Sequence, residues 1–420
     1  MNDLAFLGSE LPETWAEGHI ADVTSKVGSG ATPRGGSAVY VETGTSFIRS
    51  QNVYDHEFRR DGLAHIADEA AEQLRGVRVQ PRDVLLNITG DSILRTCLVP
   101  RSALPARVSQ HVAIIRTNGR VDPGFLQKWL SLPAMKYFML GHSSGGTRKA
   151  ITKCHILSFP IPLPPVTEQR GIAATLGVLD DKIESNHRAR DLIKGLLLAA
   201  FEELLAKNKF EEVPLAGIAT STKGVSYKSV DLLPSRTSLV TLKSIDRSGG
   251  YKSNGLKQYV GPYKPQQVTI PGDIVVAQTD LTQGAEVVGR AVRVPPENSA
   301  ATLVASLDLV IVRPNPDIPT EYLLGVLTDE RFRAHCCSRT SGTTVLHLAS
   351  DAIPTYMAPL VGTDVREDFA SRAGPLVERG DGLASETRSL IALRDTLLPE
   401  LLSGRIRVSE ARGVVEEAVG

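Results

Sequence analysis

Pro81-Arg82-Asp83-Val84-Leu85 returns as Pro271-Gly272-Asp273-Ile274-Val275, and this return decides the fold. Other stretches repeat in the same order. Ser46-Phe47-Ile48-Arg49 is followed later by Ser238-Leu239-Val240-Thr241, Ile115-Arg116 by Val312-Arg313, and Gly146-Thr147 by Gly342-Thr343. A Leu-rich stretch ending Phe201-Glu202-Glu203-Leu204 is answered by one ending Pro399-Glu400-Leu401-Leu402. The offsets stay between roughly 190 and 198 residues, several times the period of a solenoid repeat, so the chain is a duplicated domain. Such a chain makes one kind of contact twice, which suits a two-part ligand.

Each half reads the same way outward from that stretch. Short β-rich runs at Val84–Ile88 and Val112–Ile115 sit between Gly, Pro and Asn clusters that mark turns. A helix is expected over Pro123–Leu140. Pro160, Pro162, Pro164 and Pro165 are expected to lie outside regular structure and to mark a boundary. Thr167 is a plausible N-cap with Glu168 in the first turn. Ile172, Leu176, Leu179, Ile183, Ile193, Leu197, Ala200 and Leu204 then follow steps of four and three. Asn186 and Arg190 interrupt this stripe, and Lys207-Asn208-Lys209 ends it. A polar break in an apolar seam sets helix register.

Val268–Ala277, Leu307–Val312 and Thr320–His335 repeat the mixed pattern in the second half. Phe369, Leu376, Leu383, Leu390 and Leu397 then recur every seventh position, a heptad seam closed by Gly404. Gly374-Pro375, Gly380 and Gly382 predict a break or a late start of that helix. The expected architecture is α+β. Two mixed α/β domains, residues 1–162 and 210–362, alternate with helical regions, 163–209 and 363–420. Similar placement after each domain favours the two helices pairing with each other, as an antiparallel coiled coil with pseudo-twofold symmetry, over packing only within each domain. Leu176, Ile183, Leu197 and Leu204 are then expected to face Leu383, Leu390 and Leu397.

Composition bounds the function. The 420 residues are 42% apolar and carry 47 basic and 47 acidic side chains, a formal net charge of zero. No global field draws nucleic acid, although a local patch is invisible in that sum. The opening MNDLAFLGSE has no basic start or long apolar run, and no stretch is long and apolar enough to span a membrane. Cys97, Cys154, Cys336 and Cys337 lack CxxC spacing and read as free thiols of a cytoplasmic protein.

No phosphate-binding GxxxxGK[ST] loop, HExxH or GxSxG is present, and Gly28-Ser29-Gly30 is not continued as a dinucleotide site. Asn315-Pro316-Asp317 departs from the Asn-Pro-Pro-aromatic motif of amino-methyltransferases. His335-Cys336-Cys337 is a poor metal corner, because adjacent cysteines do not easily chelate one ion. No metal or cofactor is expected. What remains is a pair of loops. No acidic residue falls between Asp122 and Glu168, a span centred on Ser143-Ser144-Gly145-Gly146-Thr147-Arg148-Lys149. None falls between Glu330 and Asp351, around Thr340-Ser341-Gly342-Thr343-Thr344. Gly permits close approach of a backbone to phosphate, and Ser, Thr, Arg and Lys supply donors. Two solvated turns would look alike singly, but the match in position and charge favours DNA contact.

These features resemble the specificity subunits of type I restriction–modification systems. Pro162-Leu163-Pro164-Pro165-Val166-Thr167-Glu168-Gln169-Arg170-Gly171-Ile172-Ala173 is similar to the family's central conserved region. The stretch Leu393-Arg394-Asp395-Thr396-Leu397-Leu398-Pro399-Glu400-Leu401-Leu402-Ser403-Gly404-Arg405-Ile406 is similar to its C-terminal one. Leu11-Pro12-Glu13-Thr14-Trp15 and Gly30-Ala31-Thr32-Pro33 resemble the opening of a target recognition domain, and Tyr259 through Ile274 with Val288-Gly289 resemble a second.

The resemblance implies a non-catalytic subunit whose two target recognition domains each read half of a split, asymmetric double-stranded DNA site. Two methyltransferase subunits would dock on the helices, and motor–nuclease subunits would join for cleavage. Candidate DNA contacts in the first domain are Thr32, Arg34, Arg49, Gln51, Asn52, Thr89, Gly146, Thr147, Arg148 and Lys149. In the second they are Tyr227, Lys228, Lys243, Thr279, Thr282, Arg339, Gly342, Thr343, Thr344 and His347. Two other readings stay open at this point. One is a nuclease or hydrolase using Asp83, Asp91 or His111, and the other is a helical scaffold without nucleic acid.

Overall fold

The computed structural model describes the chain except residues 1–3, 5–10, 144–149, 248, 282–283 and 297–301. It divides into two compact units. The first comprises Met1–Ser185 with Ser389–Gly420, and the second Asn186–Arg388.

In the first unit, short runs, several of them buried along their whole length, build two four-stranded sheets. One is antiparallel, in the order Thr24–Ser29, Val112–Thr117, Val84–Asn87, Thr96–Leu98. The other runs Tyr40–Val41, Ala64–Ile66, Thr45–Ile48, Ala106–Val108, the last pair being parallel. The second unit repeats the plan. Ala219–Lys223, Leu309–Pro314, Ile274–Ala277 and Ala291–Arg293 form its antiparallel sheet. Lys257–Gln258, Thr237–Val240, Thr302–Ala305 and Val268–Thr269 form the other, again with one parallel pair, Thr237–Val240 beside Thr302–Ala305. Where Val268 pairs with Val304 in the second unit, the first has a single bridge between Arg78 and Arg107.

The duplication extends to atomic constraints. A Cβ on Gly30 would lie 2.0 Å from the carbonyl oxygen of Val108, and one on Gly224 would lie 2.1 Å from that of Ser306. Both chains pass too close to a neighbouring strand for any other residue. Asp83 takes a bidentate bond from Arg116, Nε and a terminal nitrogen both at 2.8 Å, and also accepts the backbone N–H of Gln80. Asp273 holds Arg313 in the same way at 2.8 and 2.6 Å and accepts the N–H of Ile270. The recurrent Pro-x-Asp is therefore a strand-entry lock.

Three local expectations are corrected. Pro160–Leu163 is a strand, paired antiparallel with Ala16–His19 only. Having a single partner, it tolerates prolines that would break a central ladder. The helix expected over Pro123–Leu140 is two helices, Pro123–Ser131 and Pro133–Gly141, because Pro133 starts a new one after extended Leu132. Its counterpart is likewise split, into Thr320–Thr328 and Glu330–Ser338, with Asp329 capping the second. Thirdly, the distal helix does not break at Gly374-Pro375 and is continuous over Thr363–Leu402. Pro375 lies on its exposed face, where water satisfies the carbonyl that loses its N–H partner, while Ala373 and Val377 are buried.

The proximal helix runs Val166–Lys207. Within the first unit, Ile172, Leu176, Leu179 and Ile183 share a core with Leu390, Leu397 and Leu401. Asp180 there meets Arg394 at 3.2 Å, and Glu168 meets Arg407 at 3.2 Å. Within the second unit, Phe201 and Leu204 share a core with Phe369 and Ala373. Asn186 donates to Glu386 at 3.0 Å, and the rings of Phe201 and Phe369 lie 5.8 Å apart. As one helix advances the other runs back, so in each unit the pairing is antiparallel. Leu383 is buried, but Leu197 is only half-buried beside the second core. The short helix Val408–Val419 follows and packs Ala411 and Val415 into the first core.

Candidate nucleic-acid interface

The two loops singled out in the sequence are held by equivalent strand pairs. In the second unit, Thr340–Ser341 and Leu346–Leu348 form a hairpin, and Leu346–Leu348 also pairs with Thr279–Asp280. Thr279 is directly opposite His347. The turn needs Gly342: its φ is +119°, and a Cβ there would lie 2.1 Å from the carbonyl oxygen of Val345. Thr343, Thr344 and His347 are exposed on this hairpin. Thr279 is buried and its hydroxyl donates to Asp308 at 3.0 Å, so it supports the hairpin from below. Arg339, at the entry to the hairpin, is paired with Asp351 at 2.7 Å. Thr282 lies outside the described residues.

In the first unit, Thr89 forms an antiparallel bridge with Ala150, and the N–H of Ile151 donates to Ile88 at 2.9 Å. This repeats the Thr279–His347 pair and the 2.8 Å bond from Leu348 to Gln278. Gly146, Thr147, Arg148 and Lys149 lie outside the described residues, but both anchors of their segment, Ser143 and Ala150, are described.

Beside Thr89 is a second cluster of candidates. Arg49 and exposed Gln51 both donate to the carbonyl of Gly62, at 2.6 and 3.1 Å. Asn52 is fully buried. Its amide nitrogen donates to Arg59 and Asp61 carbonyls at 3.0 and 3.3 Å, and its oxygen accepts the N–H of Arg49 at 3.0 Å. Expected as a base contact, Asn52 instead holds the loop that presents Arg49 and Gln51. Asn87 fastens this loop to the next one, donating to the carbonyl of Ser50 and the hydroxyl of Ser92, each at 3.0 Å. The remaining candidates are dispersed. Thr32, Arg34, Lys228 and Lys243 are exposed, and Lys257 lies 5.6 Å over the ring of Tyr227.

One arrangement was not anticipated from the sequence. The guanidinium carbons of Arg59 and Arg95 lie 3.8 and 4.4 Å from the ring centroid of Tyr54. Arg59 also takes a bidentate bond to Glu57, at 2.9 and 3.1 Å. The available signal was the duplication: Arg95 and Arg290 each follow a positive-φ residue, Leu94 at 68° and Gly289 at 75°, and each leads into a strand.

Beneath these loops is a buried polar network. Lys128 donates to Nδ1 of His56 at 3.1 Å and to the carboxylate of Asp180. An ammonium has no acceptor, so His56 presents a lone pair and its ring is neutral. Burial, then the charge of Lys128, holds its pKa well below the usual value. Burial lowers that of Lys128 as well, opposed by Asp180. Two shallow clefts lie elsewhere, with volumes of about 260 and 340 Å³. The first is lined by Glu212 and Arg331 among others, and the second includes the pairs Lys207–Glu203 and Arg372–Asp368.

Residues 12–194 match the family model described as the type I restriction modification DNA specificity domain. The EcoBI specificity subunit of Escherichia coli is 27% identical over 218 residues, 49% of this chain and 45% of that one. The MjaVIII specificity subunit of Methanocaldococcus jannaschii is 21% identical over an alignment covering 96% of this chain and 95% of that one. This chain thus spans under half the length of the first relative and nearly all of the second. A crystal structure of the type I restriction–modification system S subunit from M. genitalium shares the fold. Its TM-score is 0.56 at 14% identity, over 94% of this chain and 98% of that one.

Proposed function

We propose that this chain, a member of the family of type I restriction–modification specificity subunits, reads DNA sequence for a partner that carries the chemistry. Each unit contributes one recognition domain, and each domain reads one half of a bipartite, asymmetric site in double-stranded DNA. The observation that carries this is the paired construction: two anchored loops, Thr89–Ala150 in one unit and Thr279–His347 in the other, on the same scaffold with different side chains. Major-groove base edges distinguish all four base pairs, so different loop side chains imply different half-sites. Gln51 with Thr147, Arg148 and Lys149 are the proposed readers of one half, and Thr343, Thr344 and His347 of the other.

The chain is non-catalytic in this reading. Asp83, the strongest acid–base candidate, has both oxygens committed to Arg116. The long helices dock two methyltransferase subunits, and motor–nuclease subunits join for cleavage. An apolar ridge supports docking: Leu192 and Leu196, one turn apart on the proximal helix, are 70% and 57% exposed.

The test is to co-express the chain with a methyltransferase subunit and map methylation across the host genome. Two unlike half-sites separated by unspecified bases are expected. A continuous or palindromic site, or failure of the complex to bind any duplex, would sink the reading. Metal-dependent turnover by the purified chain alone would support the enzyme reading instead.

A further inference from the structure

We infer that Arg95, seated over Tyr54, is a positioning residue that contacts a DNA backbone phosphate in the first half-site; this rests on the function proposed above. Both Arg59 and Arg95 lie over one ring, so their charges are within about 8 Å of each other. Glu57 compensates Arg59. Arg95 has no ion pair with a carboxylate among the described residues, although it is mostly shielded from water. A cation held in place beside another, with its donor fork unused, is built for an anion that arrives later. Stacking on Tyr54 fixes the guanidinium plane in advance and reduces the side-chain entropy lost on binding.

The position identifies that anion. The Leu94 N–H donates to the carbonyl of Asn87 and the Asn87 N–H donates to the carbonyl of Arg95, while the Asn87 side chain fastens this loop to Ser50 between Arg49 and Gln51. Arg95 therefore sits on the same loop as Thr89, next to the proposed base readers. The rim adds exposed Arg60, which donates to Ser102, and exposed Arg101. In the second unit no aromatic ring among the described residues lies under the equivalent Arg290, whose pKa is lowered by burial and then by Arg333, with Glu330 and Asp246 opposing. Among the described residues, only the first half holds this cation over an aromatic ring. It positions the backbone without reading a base, since a phosphate carries no sequence information.

The experiment uses the full chain assembled with its methyltransferase partner, and two duplexes: one carrying the methylated site and one scrambled. Binding is measured between about 50 and 200 mM salt. For Arg95→Gln, the slope of log K against log salt should become shallower by about 0.9, the value of one phosphate contact. Affinity should fall by the same factor on both duplexes, and the methylated sequence should not change. Arg95→Lys keeps the charge and should keep the slope. An unchanged slope in Arg95→Gln overturns the assignment, as does a slope loss in Arg95→Lys equal to that in Arg95→Gln, which would mark a purely structural role. A changed methylation sequence overturns it too, because Arg95 would then be a base reader. A wild-type complex that binds neither duplex overturns the functional reading and this assignment together.

Discussion

At the residue scale, the side chains that look reactive in the sequence are mostly structural. Asp83 recurs as Asp273 because each locks an arginine across its sheet, and the Asp83 side chain is only 1% exposed. Removing one partner of a buried pair strands the other, so Asp83→Ala should lower stability by about 3 kcal/mol. Urea unfolding would show this as a reduced midpoint, and a midpoint within error of wild type would contradict it. Asn52 was legible as important from its polar surroundings, but not its role, because burial depends on how the Arg59–Gly62 turn folds back. Gly342, read in the sequence as letting a backbone approach phosphate, also meets a need of the fold that the sequence reading did not name, a φ of +119° in the hairpin turn. His56 was silent in the sequence. Its neutral ring is set by burial and by Lys128, 72 positions away in the chain and itself bonded to Asp180. Its folded pKa lies below the unfolded value of about 6.5, so the unfolded state binds more protons and stability falls as pH drops below that value. Stability is fully present above it. Thermal melting of His56→Gln, which keeps an acceptor for Lys128, should show a shallower loss between about pH 6.5 and 5 than wild type. An identical pH profile would mean that His56 does not titrate differently on folding.

At the scale of elements, apolar periodicity carried most of the information. The stripe from Ile172 to Leu204 and the heptads from Phe369 to Leu397 mark the two long helices because both bury one face. Propensity misled where tertiary context compensates. Gly374-Pro375 reads as a break, yet the helix passes through it because Pro375 faces solvent. Gly374 has open space where a Cβ would go, so Gly374→Ala should raise stability by about 1 kcal/mol. A decrease on chemical unfolding would show that the helix is not continuous there. The heptad pattern also placed the seam too evenly. In the second unit Phe201, outside that pattern, is fully buried against Tyr322 and Phe369 at 5.6 and 5.8 Å. Gly325 makes room for it: a Cβ there would meet the ring at 2.5 Å. Phe201→Ala should cost about 3–5 kcal/mol, more than Leu197→Ala at a half-buried site. Equal losses in calorimetry for the two variants would restore the even seam.

At the scale of the whole molecule, one design is carried out twice with different joints. In the first unit, Lys128, Asp180 and Arg394, with neutral His56 beside them, form a buried ionic junction between recognition domain and helices. In the second, the corresponding helix places Gly325 where Lys128 stands, and the junction is aromatic. The repeat offsets made the duplication visible in the sequence. The divergence was not visible, because it lies in contacts between residues far apart in the chain. The same logic governs function. The scaffold is shared, and the exposed loop side chains are not, so specificity should separate by half. Thr344→Ala and His347→Ala remove exposed polar groups from the hairpin around Gly342 without disturbing its Thr279–Asp308 support. If either reads a base edge, its loss should cost about 1–3 kcal/mol and relax one position of one half-site. Gln51→Ala should relax a position in the other half and leave the first intact. Methylation mapping of the three variants in one host reads all of these outcomes at once. Relaxation in both halves from a single substitution would show that the two units do not read separately, and the bipartite assignment would fail with it.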